Sequence, residues 1–385
     1  MPTTDAERPR LNAVGYLDRA VARLRQGAGA RVIAVIPAHN EADGIAFALD
    51  SMDRQSRRPD LVVVVADNCT DDTEQIVRKR GGTVVVTTVA NTCKKAGALN
   101  LVLDRLLPRL QPADGVLVVD ADSSLDDGFV EAALGRLGRP AADGSGKTIG
   151  GVGGTFRGGR GGGFVGMLQR NEYARYARDV RRLKGKVLVL TGTAALFSVE
   201  ALRRVVQARA LEVIPGGAAQ VYDTHVLTED NELTLALLHL NYAVLSPREC
   251  LLETEIMTTW RDLWNQRVRW KRGALENLVD YGMTAVTWRY WGRQALTHLG
   301  VFVTTVYLAT IVLSLAVNGG VHLHPIWIAA TGVFVAERVI TVRDRGPLQM
   351  ALASLIFVEM SFDIFLQAAQ ASAFWHTLRH SERNW

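Results

Sequence analysis

Asp120 and Asp122 stand two residues apart, directly after the apolar run 116–119. A strand sends every second side chain to the same side, so both carboxylates face one way if the extended geometry continues. Carboxylate oxygens suit hard divalent cations such as Mg2+ and Mn2+, which often share their coordination shell with substrate phosphates. A metal held there would neutralise the charge that develops on a departing diphosphate. The same residues, with Asp126 and Asp127, also read as a solvated acidic turn. Their place at the end of a buried run favours the first reading.

A second acidic group, Asp67, Asn68, Asp71 and Asp72, follows the run 61–65. Asp67 can accept hydrogen bonds from a base or ribose, while Asp71 or Asp72 caps a helix starting near Thr73. Lys94 and Lys95 precede a helical run from Ala96, where a phosphate would also meet a helix N-terminus. Taken alone they are surface lysines. Thr228-Glu229-Asp230 has the pattern of a helix start, with Thr at the N-cap and acids in the first turn. Asp230 is equally a general base, provided it faces a sheet edge and meets a hydroxyl. Gln266, Arg269 and Trp270 recur at i, i+3 and i+4 and so share one helical face. Arginine offers forked bonds to phosphate, and tryptophan a flat surface for a sugar. The competing reading is an interfacial helix with Trp260, Trp264 and Trp270 at headgroup level.

Such a set needs a frame. Residues 32–36, 61–65 and 116–119 are short, nearly unbroken apolar runs, the pattern of strands covered on both faces. Helical patterns at 44–53, 72–80 and 96–107 lie between them, and 84–88 adds a further strand. This alternation predicts an open α/β sheet whose ligands bind beyond the carboxyl ends of the strands. Those ends read His39-Asn40-Glu41, Asp67-Asn68 and Asp120-Ala121-Asp122. Residues 138–163 read as a Gly-rich, mobile surface loop, 187–190 as a strand leading into Thr191-Gly192-Thr193, and 228–238 as a helix. Residues 11–25 read as a short amphipathic helix, and 258–280 as a basic helix containing tryptophan.

The second half of the chain has a different character. From residue 294 to 336 there is no Asp, Glu, Lys or Arg, and all eight tryptophans lie beyond residue 259. The chain carries a formal charge of +5. Much of that excess lies between Arg261 and Arg293, just before the uncharged stretch. Basic residues beside a span mark its cytoplasmic side and attract anionic lipid headgroups. No nucleic-acid reader motif accompanies them. The uncharged stretch has room for two spans of about 20 residues each, turning at Asn318-Gly319-Gly320. A third apolar segment, 348–375, carries Glu359 and Asp363, which are costly in a bilayer unless they face protein or water. They are expected to line an acceptor path or to point toward headgroups. Cys69, Cys93 and Cys250 form no CxxC pair, which argues against a zinc site or disulfide frame and suits a reducing compartment. The first residues lack a basic-then-apolar leader pattern, so the start of the chain is expected in the cytoplasm. Gly146-Lys147-Thr148 imitates the end of a P-loop, but Ala141 occupies the position of its first glycine. Gly161, Gly163 and Gly166 satisfy GxGxxG without a leading strand.

The ordered set Ile36-Pro37-Ala38-His39-Asn40-Glu41, Asp67-Asn68, Lys95-Ala96-Gly97-Ala98-Leu99-Asn100, Asp120-Ala121-Asp122, Thr228-Glu229-Asp230 and Gln266-Arg267-Val268-Arg269-Trp270 resembles the family 2 glycosyltransferases. It is most similar to their membrane-bound branch of cellulose, hyaluronan, chitin-oligosaccharide and poly-N-acetylglucosamine synthases. The resemblance implies a GT-A fold, a UDP-sugar donor, Mg2+ or Mn2+, and inversion at the anomeric carbon. By position, Asp67, Lys95 and Asp120 would bind the nucleotide-sugar together with Pro37, Asn40 and Glu41. Asp122 would hold the metal and Asp230 would be the base. Gln266, Arg269 and Trp270 would hold the diphosphate and acceptor end, with Gly192, Thr193 and Glu229 nearby. The expected organisation is an N-terminal segment 1–29, a cytoplasmic GT-A domain 30–257, interface helices 258–293, and a transmembrane region 294–385 of about three helices. That would make a multi-pass enzyme of the plasma membrane, extending a saccharide, with membrane lipids and either a second copy or an export partner as expected neighbours. The alternatives are transfer of one sugar to a polyprenyl phosphate or other lipid-linked acceptor and, more remotely, an inactive nucleotide-binding adaptor.

Overall fold

The computed structural model describes residues 10–24, 29–318 and 325–379. The chain forms two compact units, Met1–Arg157 with Val180–Glu255, and Gly158–Asp179 with Ile256–Trp385.

In the first unit, β1 (Arg10–Asn12) and α1 (Val14–Leu24) precede an alternating series. It runs β2 (Val32–Ala38), α2 (Ile45–Asp53), β3 (Leu61–Ala66), α3 (Thr73–Arg80), β4 (Val84–Val89), α4 (Lys94–Leu106) and β5 (Gly115–Val119). The apolar runs become strands as expected. Val32, Ala34, Ile36, Val64, Leu117 and Val119 meet α2, α3 and α5 (Phe129–Leu134) in one core. Their neighbours Ile33, Val35, Val63, Val65 and Val116 are equally buried, so both faces of the sheet are covered. Two aspartates pin the strand starts. Asp60 accepts from the Val32 amide at 2.8 Å and Asp114 from the Arg31 amide at 2.9 Å.

Strand order is β1-β4-β3-β2-β5-β9-β7-β10, with a small sheet β6-β11-β8 beside it. The remaining strands are β6 (Ser124–Leu125), β7 (Ile149–Gly153), β8 (Thr155–Gly158), β9 (Ala194–Ser198), β10 (Ala243–Leu245) and β11 (Leu251–Thr254). β2 is parallel to both β3 and β5, whereas β9 runs antiparallel to β5 and β7. The sheet is therefore mixed rather than wholly parallel. The chain steps outward from β2 through β3 to β4, then returns to the other side of β2 for β5. That reversal is a topological switch point, and ligands of open α/β sheets bind in the crevice it leaves.

Two expectations fail here. Residues 138–163 are not simply a loop, because they contain β7 and β8. Glycine is required there by packing: a Cβ on Gly150 would lie 2.8 Å from the Tyr242 ring, and one on Gly154 2.2 Å from Leu252. Residues 187–190 are not a strand either, and pairing with β5 begins only at Ala194. The Gly146-Lys147-Thr148 turn lies inside a small hairpin closed by the Pro140–Thr148 bridge.

The helices α6 (Gly163–Arg182), α7 (Val199–Ala210) and α8 (Glu229–His239) precede the C-terminal run. That run is α9 (Trp260–Tyr281), α10 (Trp288–Asn318), α11 (Pro325–Val342), α12 (Pro347–Ser354) and α13 (Ile356–Leu378). Within the second unit, Trp260 and Trp264 of α9 pack edge-on against Phe365 of α13, with centroids 5.2 and 5.5 Å apart. Among the described residues, Trp288–Val317 is the one helix long and apolar enough by itself to cross a bilayer. The third apolar segment is broken, since α12 and α13 meet at 78°. The described residues thus offer one candidate span, or two if the bent pair counts as one, where about three are expected. Gly319 and Gly320 of the expected turn lie outside the described residues.

Glu359 and Asp363 both sit in an ionic cluster, Glu359 buried and Asp363 half-buried. Glu359 is fully buried, 2.8 Å from Arg175 and 3.5 Å from Arg338, and Asn171 donates to it at 2.9 Å. Asp363 pairs with Arg338 at 2.6 Å. Buried carboxylates persist where arginine partners neutralise them, and α6 and α11 supply those partners.

Candidate active site

The switch point lies between the carboxyl ends of β2 and β5. There the backbone turns sharply, with left-handed φ at Asn40 (56°), Asn68 (49°), Ala90 (56°) and Lys94 (50°). Non-glycine residues seldom adopt that region, and it recurs where a site dictates the backbone. Asn40 Oδ1 fixes the next strand end by accepting from the Thr70 amide at 2.8 Å.

Asp67 is buried at the end of β3. Its Oδ1 accepts from Thr88 Oγ1 at 2.5 Å and Asn91 Nδ2 at 2.8 Å. Asn91 can reach it because Gly97 has no side chain, as a Cβ there would fall 2.2 Å from Asn91 Oδ1. The glycine of Lys95-Ala96-Gly97 thus serves Asp67. Neither Thr88 nor Asn91 is evident from the sequence, because nothing periodic marks a side chain that supports a distant acid. Asp71 takes the expected capping role, bonding the Thr73 amide at 3.0 Å, while Asp72 makes no side-chain cap.

Lys95 is the centre of the cluster. Its Nζ lies 2.6 Å from Asp120 Oδ1 and 3.2 Å from Glu229 Oε1, and it donates to Gly192 O at 3.2 Å. The Asp120 amide donates to Thr193 O, which fixes the Gly192-Thr193 turn against β5. Asp230, in the first turn of α8, accepts from the Gly192 amide at 2.8 Å and the Asn231 amide at 2.7 Å. Thr228 occupies the N-cap position without a side-chain cap bond. Burial, with Glu229 beside it, pushes the Asp230 carboxyl up to about 6, against the pull of Lys95 and the two amides. Asp120 is likewise raised to about 6, chiefly by burial. The attraction of Asp120 and Glu229 outweighs burial at Lys95 and holds its ammonium above the usual range.

Asp122 follows two residues after Asp120 and shares the influence of Lys95. Ser123 Oγ donates to it at 2.8 Å, and burial raises its pKa, with Glu255 opposing ionisation further. Glu41 is raised to about 7 by burial and then by Asp122, Glu255 and Asp120. Four carboxylates thus crowd a region where Lys95 is the cation acting on Asp120 and Asp122. That charge, presented on oxygen donors, suits a hard divalent cation. No group of three or more His, Cys, Asp or Glu converges at metal distance among the described residues. The protein would therefore supply one or two carboxylates and the ligand's phosphates the remainder. Glu255, just after β11, was not anticipated from the sequence.

The sequence profile described as "Glycosyl transferase family 2" matches residues 33–206, from β2 through α7. That stretch is similar to family 2 glycosyltransferases. Poly-beta-1,6-N-acetyl-D-glucosamine synthases are similar along much of the chain. The Staphylococcus aureus protein is 24% identical over 285 residues, 71% of this chain and 63% of its own length. The Staphylococcus epidermidis protein is 24% identical over 277 residues, 67% of this chain and 61% of its own. The chain therefore spans less than two thirds of these relatives. The mannosyltransferase PcManGT from Pyrobaculum calidifontis, solved with GDP-Man and Mn2+, shares the fold. It is 18% identical with a TM-score of 0.57, covering 96% of this chain and 95% of that one.

Pro37, Asn40, Glu41, Asp67, Lys95, Asp120, Asp122, Gly192, Thr193, Glu229 and Asp230 all belong to the first unit. Lys95 directly joins Asp120, Gly192 and Glu229, and its charge also acts on Asp122 and Asp230. Gln266, Arg269 and Trp270 belong to the second unit, on α9, where Arg269 is exposed and the other two half-buried.

Proposed function

We propose that this chain is a membrane-anchored, inverting glycosyltransferase, taking a sugar from a UDP-sugar and adding it to a growing saccharide at the cytoplasmic face. The observation that carries the reading is the gathering of Asp120, Glu229 and Gly192 on Lys95, with Asp230 held by the Gly192 amide. This arrangement sets a charge-compensated binding side next to a raised carboxylate.

Asp230 would accept the proton of the acceptor hydroxyl as that oxygen bonds to the anomeric carbon from the face opposite the leaving group. The bond from that carbon to the diphosphate oxygen breaks, and the nucleoside diphosphate keeps the electron pair. Two backbone amides fix the carboxylate, so it need not reorganise during proton transfer. Asp67 would hold the nucleoside. Asp122, with Glu41 close by, would hold Mg2+ or Mn2+, whose chemistry there is to neutralise the diphosphate. Gln266, Arg269 and Trp270 would bind the diphosphate and acceptor end.

Membrane attachment is supported by α10. Its apolar residues Leu296, Leu299, Phe302, Val303, Val312 and Leu313 are exposed, which sets it apart from a core helix. Incubating the purified protein with UDP-sugars, and with GDP-mannose for comparison, tests the reading in the presence of Mn2+ or Mg2+. Release of nucleoside diphosphate and the size of the labelled product are then measured. A ladder of products supports chain extension. A single addition to a lipid would move the reading to a lipid-linked acceptor, and release from GDP-mannose alone would overturn the donor assignment.

A further inference from the structure

Arg267 sits among Gln266, Arg269 and Trp270 in sequence, yet it differs from them in setting. It is 1% exposed and heads the bulkiest fully buried side chains among the described residues. Helical geometry explains the contrast. Leu263, Arg267 and Leu278 point along the buried stripe of α9, with Trp270 at its edge and Arg269 turned outward.

A buried guanidinium needs compensation, and α6 supplies it. Glu172 takes two bonds, with Oε1 at 3.3 Å from Nε and Oε2 at 2.7 Å from Nη2. This forked pairing fixes the plane of the guanidinium as well as its position. The plane then governs two neighbours. Its carbon lies 4.5 Å from the centroid of the Trp270 ring, as in a cation–π contact. Its Nη1 donates to Gln266 Oε1.

The last contact decides which end of Gln266 a ligand meets. Arginine is always a donor and never an acceptor, so the amide atom facing it must be oxygen. That leaves the NH2 group of Gln266 for anything binding on the face it shares with Arg269 and Trp270. We infer that Arg267, clamped by Glu172, is the positioning residue of this face, and that Gln266 meets its ligand as a hydrogen-bond donor to an oxygen acceptor. The inference rests on the proposed role of Gln266, Arg269 and Trp270 as a ligand face. The acceptor oxygen belongs either to a saccharide or to a diphosphate.

The test uses the full-length protein in lipid nanodiscs. Gln266→Glu keeps an oxygen facing Arg267 and removes the donor, whereas Gln266→Met removes both. Arg267 pairing predicts a higher thermal midpoint for Gln266→Glu than for Gln266→Met, whatever the protein catalyses. Equal midpoints, or the reverse order, would overturn the positioning role. Gln266→Glu is further expected to weaken ligand binding by about tenfold or more. The loss appears in the UDP dissociation constant if the oxygen is a phosphate's, and in the acceptor KM if it is a saccharide's. Unchanged values for both ligands would overturn the donor assignment. Arg267→Lys retains the charge without the fork or the flat stacking plane. It should raise the same constant as Gln266→Glu, and a change in kcat alone counts against the inference. A wild-type protein that releases no nucleoside diphosphate from any donor defeats the functional reading, and the midpoint comparison separates that failure from failure of the clamp.

Discussion

Lys95 Nζ lies 2.6 Å from Asp120 Oδ1, although α4 and β5 deliver the two residues from opposite sides of a strand–helix connection. The ammonium also serves Glu229, so one cation stabilises several acids that burial would otherwise force toward protonation. Lys95→Met leaves those acids uncompensated. Loss of a charge-assisted bond to a diphosphate is expected to weaken UDP binding by roughly tenfold to a hundredfold. Thermal stability should fall as well, and fall further at pH 8 than at pH 5, because the unpaired carboxylates repel only when ionised. Calorimetric titration with UDP and melting curves at both pH values measure the two effects.

Burial raises the Asp230 carboxyl to about 6, and as the proposed base it would work only when deprotonated. The wild-type kcat/KM is therefore expected to be flat above neutrality and to fall about tenfold per pH unit below about 6. Asp230→Asn should cut kcat by about a hundredfold to ten-thousandfold while leaving UDP affinity within about a factor of two. The folded state raises this carboxyl above its ordinary value, so it binds a proton more readily folded than unfolded. Its contribution to stability is fully present at low pH and is lost as pH rises through about 6. Asp230→Asn should accordingly melt at a higher temperature than wild type at pH 8, with the gap closing toward pH 4. Melting curves across that range check the sign.

The parallel half of this frame was legible because its strands are buried on both faces and show as unbroken runs such as 61–65. The acids at their ends were legible for the same reason, since a sheet of this type collects its carboxyl ends along one edge. The Gly-rich stretch 138–163 was misread because glycine signals a turn by composition, whereas Gly150, Gly151 and Gly154 give way to Tyr242, Leu190 and Leu252. Arg175 and Glu359 meet across 184 residues of chain, and no local pattern announces such a pair. Arg267 was passed over because a charged residue on a basic helix ordinarily reads as solvated.

Gly97 gives a test in which helix propensity and packing disagree. Alanine in place of glycine within a helix ordinarily adds about 1 kcal/mol of stability. Here the new methyl would fall 2.2 Å from Asn91 Oδ1 and 2.7 Å from Cys93 Cβ, displacing the side chain that supports Asp67. Gly97→Ala is expected to lower the thermal midpoint and weaken UDP binding together. Stabilisation with unchanged affinity would mean that Asn91 does not orient Asp67 for a ligand.

Asp122, the carboxylate proposed to hold the cation, accepts from the Ser123 and Thr254 hydroxyls, with Glu255 opposing its ionisation while Asp122 in turn raises Glu41. Asp122→Asn should raise the Mn2+ concentration for half-maximal activity by about tenfold or more. Chelation of the wild type should abolish transfer, and added Mn2+ should restore it. Activity that survives exhaustive chelation would remove the metal from the scheme.

Glu359 separates a structural role from the acceptor path expected of an acid in an apolar segment. It is wholly buried, and its partners Arg175 and Arg338 come from two different helices. Removing one member of such a cluster strands the others, so Glu359→Ala is expected to cost about 3–5 kcal/mol. Glu359→Gln keeps one acceptor oxygen, for Asn171 or for the two arginines but not for both, and loses the charge, so it should fall between wild type and Glu359→Ala in thermal midpoint. An acid lining a path would behave differently. Glu359→Gln would then raise the acceptor KM while the melting temperature stayed where it was. Measuring both quantities on one preparation decides between an ionic joint among α6, α11 and α13 and a contact with the growing saccharide.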